Sequence, residues 1–216
     1  MGDIFREIDE ELRQDRNEKL WKTYGKYVIG AVVAIIVAYG SVRGWDQYRT
    51  KQRQNDSARF QAAATFEAAG KKSEAAAVFA SLADKGTDGY QTLARFRQAA
   101  LRAKGGDAAG AIAVYDRLAA DDGLSVALRE AAVVFAVMQG IDQSGIDAAA
   151  LGSRLSPLIR DDGPWRHSAR ELAGLLALNQ GDVTAARKSF TALVDDISAP
   201  AGMRARATQV LAVIGG

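Results

Sequence analysis

Residues Ala68 to Gly86 read AAGKKSEAAAVFASLADKG, and the same pattern returns twice later in the chain. The later copies are KGGDAAGAIAVYDRLAADDG, from Lys104 to Gly123, and NQGDVTAARKSFTALVDD, from Asn179 to Asp196. In each copy a glycine is followed five residues later by an alanine and four residues after that by an aromatic residue. The three sets are Gly70–Ala75–Phe79, Gly106–Ala111–Tyr115 and Gly181–Ala186–Phe190. The first two glycines are 36 residues apart and the last two 75, so one eroded copy fits between them, with Gly140 as its expected turn.

This spacing predicts pairs of helices that stack side by side. The glycine takes the left-handed conformation that ends the first helix of a pair. The alanine then lets the second helix approach closely, and the aromatic ring fills the space between the two. A single pair cannot bury its own apolar face, so neighbouring pairs stack into one continuous core. Abundant alanine, only three prolines and the lack of β-branched alternation agree with an all-α protein.

The period and spacing resemble the tetratricopeptide repeat. The resemblance implies a right-handed helix-pair solenoid of about four repeats. The repeats are degenerate, because the usual early tryptophan and late proline are missing from these copies. Pro157 is expected to kink or end the second helix of the eroded copy. The amphipathic stretch Ala201 to Ile214 is predicted to be a C-terminal capping helix over the open end of the stack.

A second feature lies before the repeats, where residues Tyr27 to Val42 read YVIGAVVAIIVAYGSV without a charge. Sixteen residues are short of the usual span of about 20. Lys26 and Arg43 close the stretch, and long basic side chains at helix ends can reach the membrane surface. Aromatic residues flank it, as expected at two membrane–water boundaries: Trp21, Tyr24, Trp45 and Tyr48. We predict an N-terminal single transmembrane helix at 24–45, in contact with the lipid bilayer.

Two other interpretations of this stretch compete with an uncleaved anchor. A buried core helix would need protein around it that the early chain does not supply. A cleaved signal peptide would need a short basic start, whereas seven acids precede the stretch. The predicted organisation is therefore a cytoplasmic amphipathic tail at 1–23, the span at 24–45, a helical stalk at 46–56 and the repeat domain at 57–216. Lys and Arg are nearly balanced on the two sides, so charge alone leaves the orientation open.

The sequence offers little for catalysis. It has no cysteine and one histidine, His167, without a second strong ligand for a metal or a G-x-S-x-G elbow for a nucleophile. Acids recur after each second helix, and we interpret them as polar helix ends instead of a cation site. A net charge of +2 gives no basic face for nucleic acid. We expect no enzyme, no cofactor, no metal and no small-molecule substrate.

Protein binding remains. The register set by the turn glycines places a mixed, partly apolar set on the inner face of the first helices. The candidate partner-binding residues are Phe60, Glu67, Leu93, Phe96, Lys104, Glu171, Leu175 and Leu178, with Ala64 and Ala100 beside them. They could hold a partner helix or an extended apolar segment, or the large ones could simply pack between neighbouring helices. In the span, Gly30, Ala34 and Ala38 recur at intervals of four, which allows close approach of another membrane helix.

The stretch from Gly163 to Leu211 carries a more specific resemblance. Trp165 opens its last repeat, Gly181-Asp182 leads into a helix with Ala186, Arg187 and Phe190, and Pro200-Ala201 starts the final helix. With the anchor, stalk and repeats, the chain resembles the YfgM-like family of ancillary SecYEG translocon subunits, of the alphaproteobacterial type. The third repeat and the acidic tail depart from that pattern.

The resemblance implies an inner-membrane protein with a cytoplasmic N-terminus and a periplasmic C-terminal domain. Its expected partners are the Sec translocon and a membrane-bound periplasmic chaperone, which it would link during protein export. The alternative is a cell-envelope or division assembly scaffold that uses the same repeats. An enzyme is the third and least supported hypothesis.

Overall fold

Short turns join antiparallel pairs of helices along most of the chain. The computed structural model describes the backbone of residues 3–141, 143 and 147–215, and side chains from residue 21 onward except those at 23, 25, 28 and 31–34. The described part is all-helical, without a strand. The elements are α1 (Asp3–Ala68), α2 (Lys72–Lys85), α3 (Asp88–Lys104), α4 (Ala108–Ala119), α5 (Val126–Gly140), α6 (Ala148–Leu155), a 3₁₀ turn (Ser156–Leu158), α7 (Arg166–Asn179), α8 (Val183–Asp195) and α9 (Ala201–Ile214).

The chain divides into two compact units, Met1–Asn55 and Asp56–Gly216. The first unit contains the larger part of α1. The second contains the end of α1 and all later helices, which form the pairs α1–α2, α3–α4, α5–α6 and α7–α8, with α9 after the last pair. The expected all-α fold is confirmed.

The three predicted glycine turns are confirmed by their backbone. Gly70, Gly106 and Gly181 have φ of 75°, 89° and 74°, a region that favours glycine. Each lies between the two helices of a pair. The alanine and the aromatic residue of every copy are buried as the spacing requires: Ala75, Phe79, Ala111, Tyr115, Ala186 and Phe190.

The prediction for Gly140 is right about where the first helix of the eroded copy ends, but Gly140 lacks the left-handed conformation of the other turn glycines. Gly140 is the last residue of α5, is buried, and is followed by Ile141 in the right-handed helical region. The glycines at 106 and 181 are followed by Asp107 and Asp182, whose side chains cap the next helix. Ile141 has no side-chain oxygen for that role. Here the cap is Asp147, so α6 begins only at Ala148.

Pro157 acts as expected at the end of this third pair. Helix α6 stops at Leu155, and the 3₁₀ turn that follows has the proline in its first turn. The missing N–H and the ring of proline oppose a longer α-helix. The pair still has a core, in which Leu151 and Leu155 pack with Val137 of α5 and Leu172 of α7.

The capping helix α9 packs against α8 and α7. Ala207 is its one buried residue, and Val210, Leu211 and Ile214 pack partly buried against Phe190 and Leu193 of α8. Arg187 of α8 also donates to the carbonyl of Ile214, at 2.6 Å. These contacts hold the last helix over apolar side chains of the preceding pair.

Within the described residues, no helix is long and apolar enough to cross a membrane. The predicted span at 24–45 therefore stays a prediction, since its side chains at 25, 28 and 31–34 lie outside the description. One of these is Ala34, of the proposed helix-contact set. The apolar side chains expected on one face of the tail, Ile4, Phe5, Ile8 and Leu12, also lie outside the described side chains. Gly30 is exposed, as is Ala38.

Candidate functional site

The first helices of the early pairs enclose a cavity of about 660 Å³ in the repeat unit. Five of the predicted inner-face residues line it: Phe60 of α1 and Leu93, Phe96, Ala100 and Lys104 of α3. Further lining residues come from α3, α4 and α5: Arg97, Ala103, Tyr115, Phe135, Met138 and Gln139. The register set by the turn glycines thus brings residues from α1 and α3 together as predicted.

A second cavity, of about 590 Å³, adjoins the first. Helix α7 supplies the predicted residues Glu171, Leu175 and Leu178 to it, and Arg206 of α9 borders it. Met138 of α5 lines both cavities. The two together, from Phe60 to Leu178, are called the repeat groove below.

A chain of aromatic rings forms part of the groove. The ring centroids of Phe96 and Tyr115 are 6.0 Å apart, those of Tyr115 and Phe135 5.6 Å, and those of Phe135 and Trp165 6.2 Å. Such spacings are typical of attractive aromatic pairs. Burial raises the pKa of the Tyr115 phenol, as expected beside apolar groups. These rings also pack between helices, so Phe96 has the packing role that was one of the two predictions for the large inner residues, while its role in partner binding stays a prediction.

Some apolar side chains of the groove remain open to solvent. Leu93 is 48 % exposed, Met138 43 % and Leu175 38 %. Phe60, Phe96 and Leu178 are half-buried. Exposed apolar side chains around an aromatic floor are typical of a surface that binds another protein.

The charged candidates are engaged within the chain. Lys104 donates to Glu67 at 2.5 Å, and Arg97 lies 3.8 Å from the other oxygen of the same carboxylate. Arg206 forms two hydrogen bonds with Glu171, at 2.7 and 3.0 Å, and they raise the pKa of the guanidinium. Glu67, Lys104 and Glu171 therefore serve first as links between helices, and a partner would have to compete with those pairs.

Helix α5 supplies the groove residues that sequence reasoning missed. Phe135, Met138 and Gln139 lie in its last turns. The register was counted back only from Gly70, Gly106 and Gly181, so no inner face was assigned to this helix. The apolar run VVFAVM at 133–138, with Phe135 and Met138 three residues apart, is the signal that could have revealed it.

A repeated arginine was also missed. Arg59, Arg95 and Arg170 each lie eleven residues before their turn glycine. Each reaches the far end of its own helix pair: Arg59 donates to Ser81, Arg95 lies 3.5 Å from Asp121, and Arg170 lies 3.3 Å from Asp196. Two of the acids after the second helices, Asp121 and Asp196, are thus tied to arginines of the first helices, which fits their interpretation as polar helix ends.

His167 lies at the end of the fourth helix pair, beside Asp196. Its Nε2 lies 2.9 Å from Oδ2 of Asp196 and 3.4 Å from Oγ of Ser198, which itself donates to Asp196. A catalytic triad needs the serine and the acid on opposite ring nitrogens. Here both approach the same nitrogen, so this cluster cannot relay a proton between them. No group of acids and histidine that could hold a metal occurs among the described residues.

Hydrogen bonds hold the pKa of the Asp196 carboxyl well below its usual range. The largest effect comes from the hydroxyl of Ser198, and the next from the hydrogen bond with His167. The backbone N–H of Ser198 adds a further bond, at 2.9 Å. The cluster fixes the turn between α8 and α9.

A comparison with protein families matches residues 18–211 to the tetratricopeptide repeat-like domain. The chain belongs to this family. Domains of this type are typically scaffolds for protein–protein interaction, and the geometry of the repeat groove agrees with that role. Searches among curated proteins and among solved structures found no match. The assignment to a tetratricopeptide-like family is confirmed, while the resemblance to the translocon subunits stays a prediction.

Proposed function

We propose that this chain is a non-enzymatic scaffold that binds a protein segment in the repeat groove. The observation that carries the proposal is the row of exposed apolar side chains, Leu93, Met138 and Leu175, beside the aromatic floor. These residues come from three successive first helices, so one bound segment could touch all of them. The family match supports a role as a scaffold for protein–protein interaction.

The bound segment is an apolar helix or extended strand instead of a carboxylate terminus. The basic groups that border the groove are already paired, because Arg97 and Lys104 share the carboxylate of Glu67 and Arg206 binds Glu171. They are therefore poorly placed to clamp a free carboxylate, which would need unpaired donors. Burial of apolar surface supplies the binding free energy, at roughly 25 cal/mol per Å² before ordering costs.

We also propose that the chain is anchored in the inner membrane by residues 24–45, with the repeats in the periplasm. The large aromatic and aliphatic side chains described there are exposed, among them Tyr24, Ile35, Ile36 and Trp45, and so is Trp21 just before the span. Exposed apolar side chains flanked by Trp and Tyr suit a lipid environment. The orientation rests on the resemblance to the translocon subunits.

The partners proposed on the same ground are the Sec translocon and a membrane-bound periplasmic chaperone. Both would bring newly exported, unfolded segments within reach of the groove. Gly30, Ala34 and Ala38 would then form the contact with a translocon helix.

Photocrosslinking in native membranes tests the groove. A photoreactive residue at Leu175 should form adducts with translocon subunits or exported chains, and the double variant Leu93→Asp/Met138→Asp should abolish them. Val183→Asp is the matched control, because Val183 is equally exposed on α8 but lies outside the groove. Adducts that persist in the folded double variant would exclude the groove. Adducts mainly with division or peptidoglycan proteins would instead support an assembly scaffold.

A further inference from the structure

A third cavity, of about 580 Å³, lies outside the repeat groove, between α2 and α4 and over α3, and is called the cleft below. Its apolar lining comes from Ala80 and Ala83 of α2 and from Val114 and Leu118 of α4. Arg117 borders it. None of these residues lines the groove cavities, so the cleft is a separate surface.

The contact between the next two second helices, α4 and α6, includes an ion pair that the cleft between α2 and α4 does not have. Each second helix carries a buried leucine: Leu118 in α4 and Leu155 in α6. The residue before Leu155 is Arg154, which forms an ion pair with Asp116, two residues before Leu118. That pair joins α4 to α6 across the junction.

At the junction of α2 and α4 the position that corresponds to Asp116 is not acidic. Arg117 stands before Leu118 as Arg154 stands before Leu155, but Ala80 takes the place of the acid, two residues before Leu82 of α2. Arg117 donates only to Ala113 of its own helix and forms no ion pair among the described residues. The small side chain of Ala80 leaves the cleft open beside this unpaired cation.

The other charges at the cleft are Asp84, Arg95 and Asp121. Arg95 and Asp121 lie 3.5 Å apart and offset each other. Asp84 has no ion pair within the described part of the chain. The cleft thus presents an apolar floor with one unpaired cation, Arg117, and one unpaired carboxylate, Asp84.

The turn between α8 and α9 carries side chains that are complementary to the cleft: one apolar, one acidic and one basic. Ile197 is 90 % exposed, the most exposed large apolar side chain described. Asp195 precedes it by two residues, and Arg204 donates to the carbonyl of Ile197 at 3.2 Å. Neither Asp195 nor Arg204 has an ion pair among the described residues. The cluster around Asp196 holds this turn in place, so little ordering is needed for binding.

We propose that the cleft between α2 and α4 binds the α8–α9 turn of a second copy of this chain. Ile197 enters the apolar cleft, Asp195 pairs with Arg117, and Arg204 faces Asp84. Such a contact joins two different surfaces, so it is heterologous and builds a ring or an open row of copies instead of a two-fold dimer.

Charge-swapped copies of the full chain test the contact. Two differently labelled populations in detergent are mixed and their association measured by energy transfer. Arg117→Asp alone and Asp195→Arg alone should each weaken association about tenfold or more, because like charges then meet across the contact. Mixing the two variants should restore it, since each supplies the surface that the other has reversed. Lys188→Asp, an exposed charge reversal elsewhere on α8, should have no effect.

Ala80→Asp gives an independent check that preserves every residue of the turn. The new carboxylate should pair internally with Arg117, as Asp116 pairs with Arg154, and so take from Asp195 its partner and weaken association. Ala80→Asn has the same size without the charge, so it should weaken association less. Wild-type copies that remain separate would overturn the proposal. So would single variants that associate like the wild type, or a mixture that fails to recover. Photocrosslinking at Leu175 should be unchanged in these variants, which separates this contact from the groove.

Discussion

At the scale of single residues, Gly174 shows how closely the helices of the fourth pair approach. It is buried in α7, and a Cβ at this position would lie 2.8 Å from the ring of Phe190. Gly174→Ala should therefore lower the free energy of unfolding by about 1–3 kcal/mol, the usual cost of overpacking. Urea unfolding followed by circular dichroism measures it.

Gly152 provides the control, since a Cβ in that part of α6 meets nothing within 4 Å. Gly152→Ala should stabilise the protein by about 0.5–1 kcal/mol, because alanine is the better helix former. If Gly174→Ala stabilised the chain to the same extent, Phe190 would not be packed as tightly as its distance indicates.

The pH dependence of stability should depend in part on Asp196. Its pKa is lowered in the folded protein, mainly by the hydroxyl of Ser198 and then by His167. The folded state therefore gains stability above the unfolded pKa of Asp, about 3.9, and loses it as the pH falls toward the lower folded value. Asp196→Asn should lower the melting temperature at pH 7, and its difference from the wild type should shrink steadily below pH of about 4.

Asp161→Asn is the comparison variant, since Asp161 is exposed and lies 3.7 Å from Arg170 without further bonds described. It should change the melting temperature little at any pH. A difference between Asp196→Asn and the wild type that stayed constant from pH 7 to pH 3 would show that the ionised carboxylate is not the stabilising group.

The residues that could be predicted from the sequence are those whose role depends only on their own backbone and close neighbours in the chain. Gly70, Gly106 and Gly181 were found because left-handed backbone and a tight turn impose glycine directly on the sequence. Arg59, Arg95 and Arg170 were not found, although they repeat, because an exposed arginine on a helix has many possible partners. Only the folded pair brings Arg170 within 3.3 Å of Asp196, 26 residues away.

At the scale of helices, the third pair departs from the others. The predictions for it were right at Pro157, where the missing N–H and the ring of proline end the helix. At Gly140 they were right about the end of α5 but not about a left-handed glycine turn. A glycine marks a turn only when the following residues can begin a new helix, and here the capping acid comes later, at Asp147. The inner face was predicted only from Gly70, Gly106 and Gly181, so α5 was left out of it, together with Phe135 and Met138.

Trp165 links this irregular pair to α7. Its Nε1 donates to the carbonyl of Ala127 in α5 at 2.7 Å, and its ring packs against Phe135. Trp165→Phe keeps an aromatic ring but removes the donor, so it should cost about 0.5–1.5 kcal/mol of unfolding free energy. Chemical denaturation gives the value. Trp165→Leu should cost more, because the ring contact with Phe135 is also lost. Equal costs of the two variants would show that this ring contact adds nothing to the hydrogen bond.

At the scale of the whole chain, the repeat groove was largely predictable because stacked helix pairs place equivalent positions on one side. Phe60, Leu93 and Phe96 meet in one cavity, and Glu171, Leu175 and Leu178 in the adjoining one. Their partners within the chain could not be predicted, since pairs such as Glu67–Lys104 depend on the distance between helices. The membrane anchor remains a prediction from the stretch Tyr27–Val42 alone.

Alkaline-phosphatase fusions test the proposed anchor and its orientation together. The reporter needs disulfide bonds, which form in the periplasm and not in the cytosol. A fusion after Gly216 should therefore be active in cells, and one after Lys26, before the apolar stretch, should be inactive. Ile36→Arg in the Gly216 fusion should reduce activity, because a charge at the centre of a span costs about 2.5–3.5 kcal/mol of insertion. An inactive Gly216 fusion in the unmutated chain, with the protein present and folded, would remove the periplasmic placement, and the proposed role beside the translocon would lose its basis.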